Sequence, residues 1–96
     1  MATLVQLEAK AKPECVQEVI DLLRPRLPET RAYDGCQAIT AYLNDDGHTF
    51  VFVELWDSKE HYDKYLAWRE ETGVFAQLVA LLQEAPDIRF FEPVDV

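Results

Sequence analysis

The chain has 96 residues, 49% of them apolar, so one small core forms without metal or disulfide staples. Nine basic side chains face eighteen acidic ones, a net charge of −9 spread over both halves of the chain. Such a surface repels phosphate backbones and anionic lipid, which excludes nucleic acid and membrane as the main partners. No apolar run approaches the roughly 18 residues of a bilayer span. The opening Met-Ala-Thr-Leu-Val-Gln lacks the basic start and apolar core of a signal peptide. A cytoplasmic protein with a single domain over residues 1–96 is expected.

Thr3, Val5, Leu7 and Ala9 alternate with Leu4, Gln6, Glu8 and Lys10, a period of two that predicts a strand over residues 3–10. Pro13 suits the first turn of a helix. Beyond it Val16, Val19, Ile20, Leu23 and Leu27 form one apolar helical stripe. Pro25 and Pro28 interrupt that stripe, so a break near Arg24 is expected before helical turns resume toward Ala32. Asp34-Gly35 closes the segment.

Cys36–Leu43 reads as the second strand, Asn44-Asp45-Asp46-Gly47 as a hairpin turn, and Thr49–Trp56 as the third strand. That strand is apolar on both sides, with Phe50, Phe52 and Trp56 alternating with Val51, Val53 and Leu55, so both faces are expected to be covered. Asp57-Ser58-Lys59-Glu60 has the form of a capping box and opens a helix from Ser58 to about Glu71. Val74, Phe75, Leu78, Val79 and Leu82 start a further stripe through Gln83, and Ile88–Val94 closes the chain as a fourth strand.

The order β-α-β-β-α-β is the split, ferredoxin-like α+β arrangement: a four-stranded antiparallel sheet with helices on one face. The other face of the sheet would then expose a large apolar patch, and a second copy of the chain is its simplest cover. A homodimer is expected. Cys15 and Cys36 match no metal spacing. They lie about 25 Å apart along the intervening helix, too far for a disulfide.

The first of the two post-hairpin helices carries the chemistry. His61, Tyr65, Trp68 and Thr72 share one face, with Tyr62, Leu66 and Arg69 on the adjoining stripe. A plain core would use aliphatic residues there, because buried Tyr and Trp need hydrogen-bond partners. Opposite lies the third strand with Phe52, Glu54 and Trp56. A cavity between them would suit a flat aromatic ligand, and an enclosed Glu54 would have its pKa raised toward the range useful for proton transfer. No phosphate-binding glycine loop, hydrolase nucleophile motif or metal-ligand cluster is present, so no cofactor and no metal are expected.

Several pieces taken together resemble the antibiotic biosynthesis monooxygenase family. They are Ala9-Lys10-Ala11-Lys12-Pro13, Leu27-Pro28-Glu29-Thr30-Arg31 with Asp34-Gly35-Cys36, Val53-Glu54-Leu55-Trp56 before Asp57-Ser58, Tyr65-Leu66, and Phe91-Glu92-Pro93. The resemblance spans essentially the whole chain and implies a dimeric α+β barrel. It also implies a monooxygenase that uses neither metal nor flavin and oxidises a quinol or other phenolic or polycyclic aromatic substrate with O2. On that basis His61 or Glu54 is the expected base and Arg69 stabilises the anion. Tyr65, Trp68, Trp56, Tyr62 and Phe52 would shape the substrate pocket. Tyr65 stands where many relatives have His, and Thr72-Gly73-Val74-Phe75 replaces a second common His. The other expectation is a non-catalytic dimeric module that binds a small aromatic molecule.

Overall fold

The computed structural model describes residues 2–96. β1 (Thr3–Lys10) alternates buried and half-buried residues along its whole length, as a strand with one face on the core must. A 3-10 turn at Pro13–Cys15 leads into α1 (Val16–Leu23). Pro25 stops that helix, since it offers no N–H and its ring crowds the preceding turn. α2 (Leu27–Ala32) starts again beyond it, with Pro28 in its first turn. Then follow β2 (Cys36–Leu43), β3 (Thr49–Trp56), α3 (Lys59–Glu71), α4 (Val74–Ala80) and β4 (Asp87–Phe91).

The sheet is antiparallel throughout, in the order β2-β3-β1-β4. This is the ferredoxin-like α+β arrangement. β3 and β1 are the central strands, and Glu54 sits between Val5 on β1 and Ile39 on β2. Phe50, Phe52, Glu54 and Trp56 are all buried on the face that carries the helices. On the opposite face Leu55 is 37% exposed, Phe91 42% and Tyr42 57%. Within one chain, therefore, only one side of β3 is covered.

Three local boundaries differ from expectation. Ser58, not Asp57, caps α3: its Oγ accepts from the His61 N–H at 3.2 Å. Asp57 is already engaged, its N–H on the Gly35 carbonyl at 2.8 Å and its carboxylate on Gln37 at 2.9 Å. α4 ends at Ala80 rather than Gln83, because Leu82 bridges to Ala11 and the Gln83 N–H reaches the Lys10 carbonyl. β4 runs over Asp87–Phe91 and stops two residues before Pro93, which has no N–H to give a ladder.

Cys15 and Cys36 are free thiols, both half-buried. Burial raises the pKa of each, with Glu18 and Glu14 adding to it at Cys15 and Glu54 at Cys36. Such thiols are poor nucleophiles.

Candidate active site

A cavity of about 60 Å³ lies between the sheet and the helices, room for a few water molecules. The sheet contributes Leu7, Ile39, Phe52 and Glu54 to its wall. Tyr62, Tyr65 and Arg69 of α3, with Thr30 of α2 and Arg26 just before it, make a polar end. Aliphatic residues of α1, α2 and α4, with Leu66 of α3 and Phe75 of α4, make the rest.

Glu54 is the central feature of the polar end. It faces inward because β3 alternates and its neighbours on that face are Phe52 and Trp56. The residue is 2% exposed. One carboxyl oxygen accepts from the Trp56 indole N–H at 3.0 Å. The other has no partner among the described residues, and the side chain lines the cavity. Burial pushes its pKa up to about 7, against the opposing pull of the Trp56 hydrogen bond. Glu54 is thus a carboxyl group that takes and releases a proton near neutral pH, with one oxygen free to do so.

Beside it, α2 and α3 are joined by a buried polar network. Arg69 is 5% exposed. Its Nε–H donates to the Tyr65 hydroxyl at 3.0 Å, and Nη1 pairs with Glu29 at 3.1 Å. Nη2 donates to the Arg26 carbonyl at 2.9 Å and to the Thr30 hydroxyl at 3.1 Å. These bonds occupy four of the five guanidinium N–H groups. Arg69 is held by the protein and has little left for a ligand.

The same accounting assigns the Tyr65 proton. The Thr30 and Tyr65 hydroxyls are 2.7 Å apart. The Arg26 carbonyl already accepts from Arg69 and from the Thr30 N–H at 3.0 Å, so a third bond, from the Thr30 hydroxyl at 3.3 Å, is the weakest. The shorter contact favours the Thr30 hydroxyl as donor to Tyr65. Both acceptor positions on the Tyr65 oxygen are then filled, by Thr30 and by Arg69. In that arrangement its own O–H is free to turn toward the cavity that Tyr65 lines. Burial raises the Tyr65 pKa, while the Arg69 and Thr30 donors pull it partly back.

Tyr33, Trp56 and Trp68 stack beside the void rather than on its wall. Tyr33 stacks on Trp68 with centroids 5.1 Å apart, and Trp56 lies 5.0 Å from Tyr65 and 5.7 Å from Tyr62. Of the expected site residues, Glu54, Arg69, Tyr65, Tyr62 and Phe52 share the cavity wall. Trp56 and Trp68 stand behind it: Trp56 holds Glu54, and Trp68 lies under the Arg69 guanidinium at 4.4 Å. His61 is outside the cavity. Its Nδ1 meets the Ser58 hydroxyl at 2.6 Å, and its ring covers Gly35, where an added Cβ would lie 2.5 Å from it. Gly35 also has φ +91°, so glycine is required there twice over. Among the described residues no group of three or more His, Cys, Asp or Glu is placed to hold a metal.

Thr30, Glu29, Arg26 and Tyr33 were not expected at the site. For Thr30 a signal existed: it continues the Leu23, Leu27 stripe by one turn, a polar residue at a buried position.

The fold and this enclosed acid define an α+β protein with a small internal site on the helix side of its sheet. The family profile of antibiotic biosynthesis monooxygenases matches residues 3–72, and the chain belongs to that family. Its fold is similar to that of Rv0793 from Mycobacterium tuberculosis, with TM-score 0.87, 24% identity, and coverage of 100% of this chain and 98% of that one. A conserved protein from Methanosarcina mazei gives TM-score 0.87 at 23% identity, covering 95% and 91% of the two chains. The ActVA-Orf6 monooxygenase of Streptomyces coelicolor, in complex with Nanaomycin D, gives 0.81 at 19% identity, covering 99% and 89%.

Proposed function

We propose that the protein is a cofactor-independent monooxygenase that oxidises a phenol or quinol with O2. The observation that carries this reading is Glu54: a buried carboxyl group that lines a cavity, with one oxygen unpartnered and a pKa of about 7. Glu54 takes the phenolic proton. The Tyr65 O–H donates to the resulting phenolate oxygen, and Arg69 and Thr30 hold Tyr65 in place. The phenolate gives one electron to O2, and superoxide and the ring radical join at a ring carbon bearing hydrogen. That carbon loses its proton as the O–O bond breaks. One oxygen atom becomes the new carbonyl and the other leaves as water, so the ring loses two hydrogens and gains one oxygen. The membership of the monooxygenase family and the ligand complex of the Streptomyces coelicolor relative support the same reading.

A second copy of the chain covers the helix-free face in this proposal. Leu55, Phe91 and Tyr42 are exposed there, and an obligate pair would bury about 2,000 Å² or more. Sedimentation at micromolar concentration tests it, and a monomeric mass overturns it. No helix among the described residues is long and apolar enough to cross a membrane, and a cytoplasmic site of action belongs to the same reading.

The test of the activity is O2 uptake with naphthol, following an oxygen-18 label into the product. Uptake above the uncatalysed rate, with one labelled atom in the quinone, is the expected result. Saturable binding without uptake overturns it in favour of a non-catalytic binding module.

A further inference from the structure

The cavity that holds Glu54 is lined unevenly. Its polar end carries all its hydrogen-bonding groups, whereas the remainder is mostly aliphatic: Leu22, Leu23, Leu27, Val74 and Leu78, with Phe52 and Phe75 beside them. The stacked rings of Tyr33, Trp68 and Trp56 contribute nothing to that wall. The ring faces that the cavity does offer are those of Phe52, Tyr62, Tyr65 and Phe75.

The aliphatic end also has somewhere to lead. A wider groove of about 390 Å³ lies between α1–α2 and the β2 edge of the sheet, with Ile20, Pro28, Ala41, Leu43 and Phe50 on its walls and Arg24, Arg31 and Tyr42 beside them. Leu23 and Leu27 belong to the walls of both the cavity and this groove. Both leucines are half-buried and flank the break between α1 and α2, where Pro25 interrupts the helical hydrogen bonding. Leu23 and Leu27 therefore stand between the cavity and the groove.

We propose that the site takes a single phenolic ring bearing an aliphatic chain, the hydroxyl at Glu54 and Tyr65 and the chain directed past Leu23 and Leu27 toward the outer groove. This rests on the phenol-oxidation reading for the ring end, and it adds the class of substituent. Leu23 and Leu27 become the residues that set chain length.

Calorimetric titration of the full chain with para-alkylphenols from methyl to hexyl, against naphthol and butylbenzene, tests it. Naphthol and para-butylphenol have the same number of carbon atoms, so their comparison separates chain from fused ring. Each added methylene is expected to tighten binding about fourfold until the leucines are reached, and para-butylphenol is expected to bind more tightly than naphthol. In Leu23→Ala and in Leu27→Ala the point at which affinity stops rising is expected to move to longer chains; two variants guard against one failing to fold. Affinity independent of chain length, or naphthol binding more tightly than para-butylphenol, overturns the proposal. A stop unmoved in both folded variants overturns the route past the leucines. Naphthol turnover without chain dependence leaves the oxidation reading intact and removes only this one. Butylbenzene binding as tightly as para-butylphenol does the reverse, keeping the chain site and removing the role of Glu54 at the hydroxyl.

Discussion

Two acids on one hairpin have opposite fates. Asp46 sits in the turn between β2 and β3, and Glu54 sits near the far end of β3. The Asp46 carboxylate accepts from the His48 N–H at 2.9 Å, the Thr49 N–H at 2.9 Å and the Thr49 hydroxyl at 2.6 Å. These donors, the Thr49 hydroxyl first, bring its pKa down to about 2. Glu54 has one donor, and burial brings it up to about 7. Donors favour the charged form and desolvation disfavours it, so the same chemical group serves as a fixed anion in one place and a proton carrier in the other. The turn acid strengthens the fold by ionising. The cavity acid weakens it by doing so, which is the usual mark of a residue kept for function.

The largest expected effect breaks the comparison at Glu54. Glu54→Gln keeps an oxygen for the Trp56 indole but has no proton to exchange, and a loss of roughly 10²–10⁴-fold in oxidation rate is expected. The same variant is expected to be more stable than the native protein at pH 8, by up to about 3 kcal/mol. A raised carboxyl pKa contributes stability that is complete below about pH 4.5 and lost as the pH rises through about 7. The two proteins should therefore differ little at pH 4.5 and separate between pH 4.5 and 7, which denaturant melts across that range will show. In the native protein, kcat/KM is expected to rise with pH through a midpoint near 7.

Tyr65→Phe removes the donor aimed at the phenolate, with an expected loss of about 10²–10³-fold in kcat. Thr30→Val keeps the shape but withdraws a donor to Tyr65, and about a tenfold loss in kcat is expected with KM nearly unchanged. A larger effect from Thr30 than from Tyr65 would show that the network, not the hydroxyl, does the chemistry.

Trp56→Phe sharpens the comparison further. It takes away the one hydrogen bond that favours ionised Glu54, so the midpoint of the pH profile is expected to rise by roughly one unit. A midpoint that stays put would assign the titration to another group. The smallest effect is expected at the turn. Asp46→Ala lowers Tm at neutral pH and leaves the oxidation rate unchanged. Because a lowered pKa contributes stability only above the unfolded value, the difference in Tm narrows as pH falls below about 3.8 toward 2.

Much of the framework follows from short-range pattern. The period-two runs at Thr3–Lys10 and Thr49–Trp56 are the observed strands, and the alternation of β3 alone places Glu54 with Phe52 and Trp56. Pro25 and Gly35 mark where the chain must break and turn, for reasons carried by those residues themselves. What alternation and helical period report is which face a residue occupies. They do not report what that face meets. His61 and Tyr65 are one turn apart on α3, yet the first closes on Gly35 outside the cavity and the second reaches Thr30 within it. Thr30 precedes Tyr65 by 35 residues and Arg69 by 39, and their union depends on where the axis of α2 lies against α3. The sequence by itself determined the elements, their order and the inward side of Glu54, because those depend on neighbours along the chain. The tertiary structure decided that Arg69 supports Tyr65, that Trp56 and Trp68 stand behind the void and that aliphatic side chains make up most of the cavity's non-polar end, because each depends on distances between elements that no local period encodes.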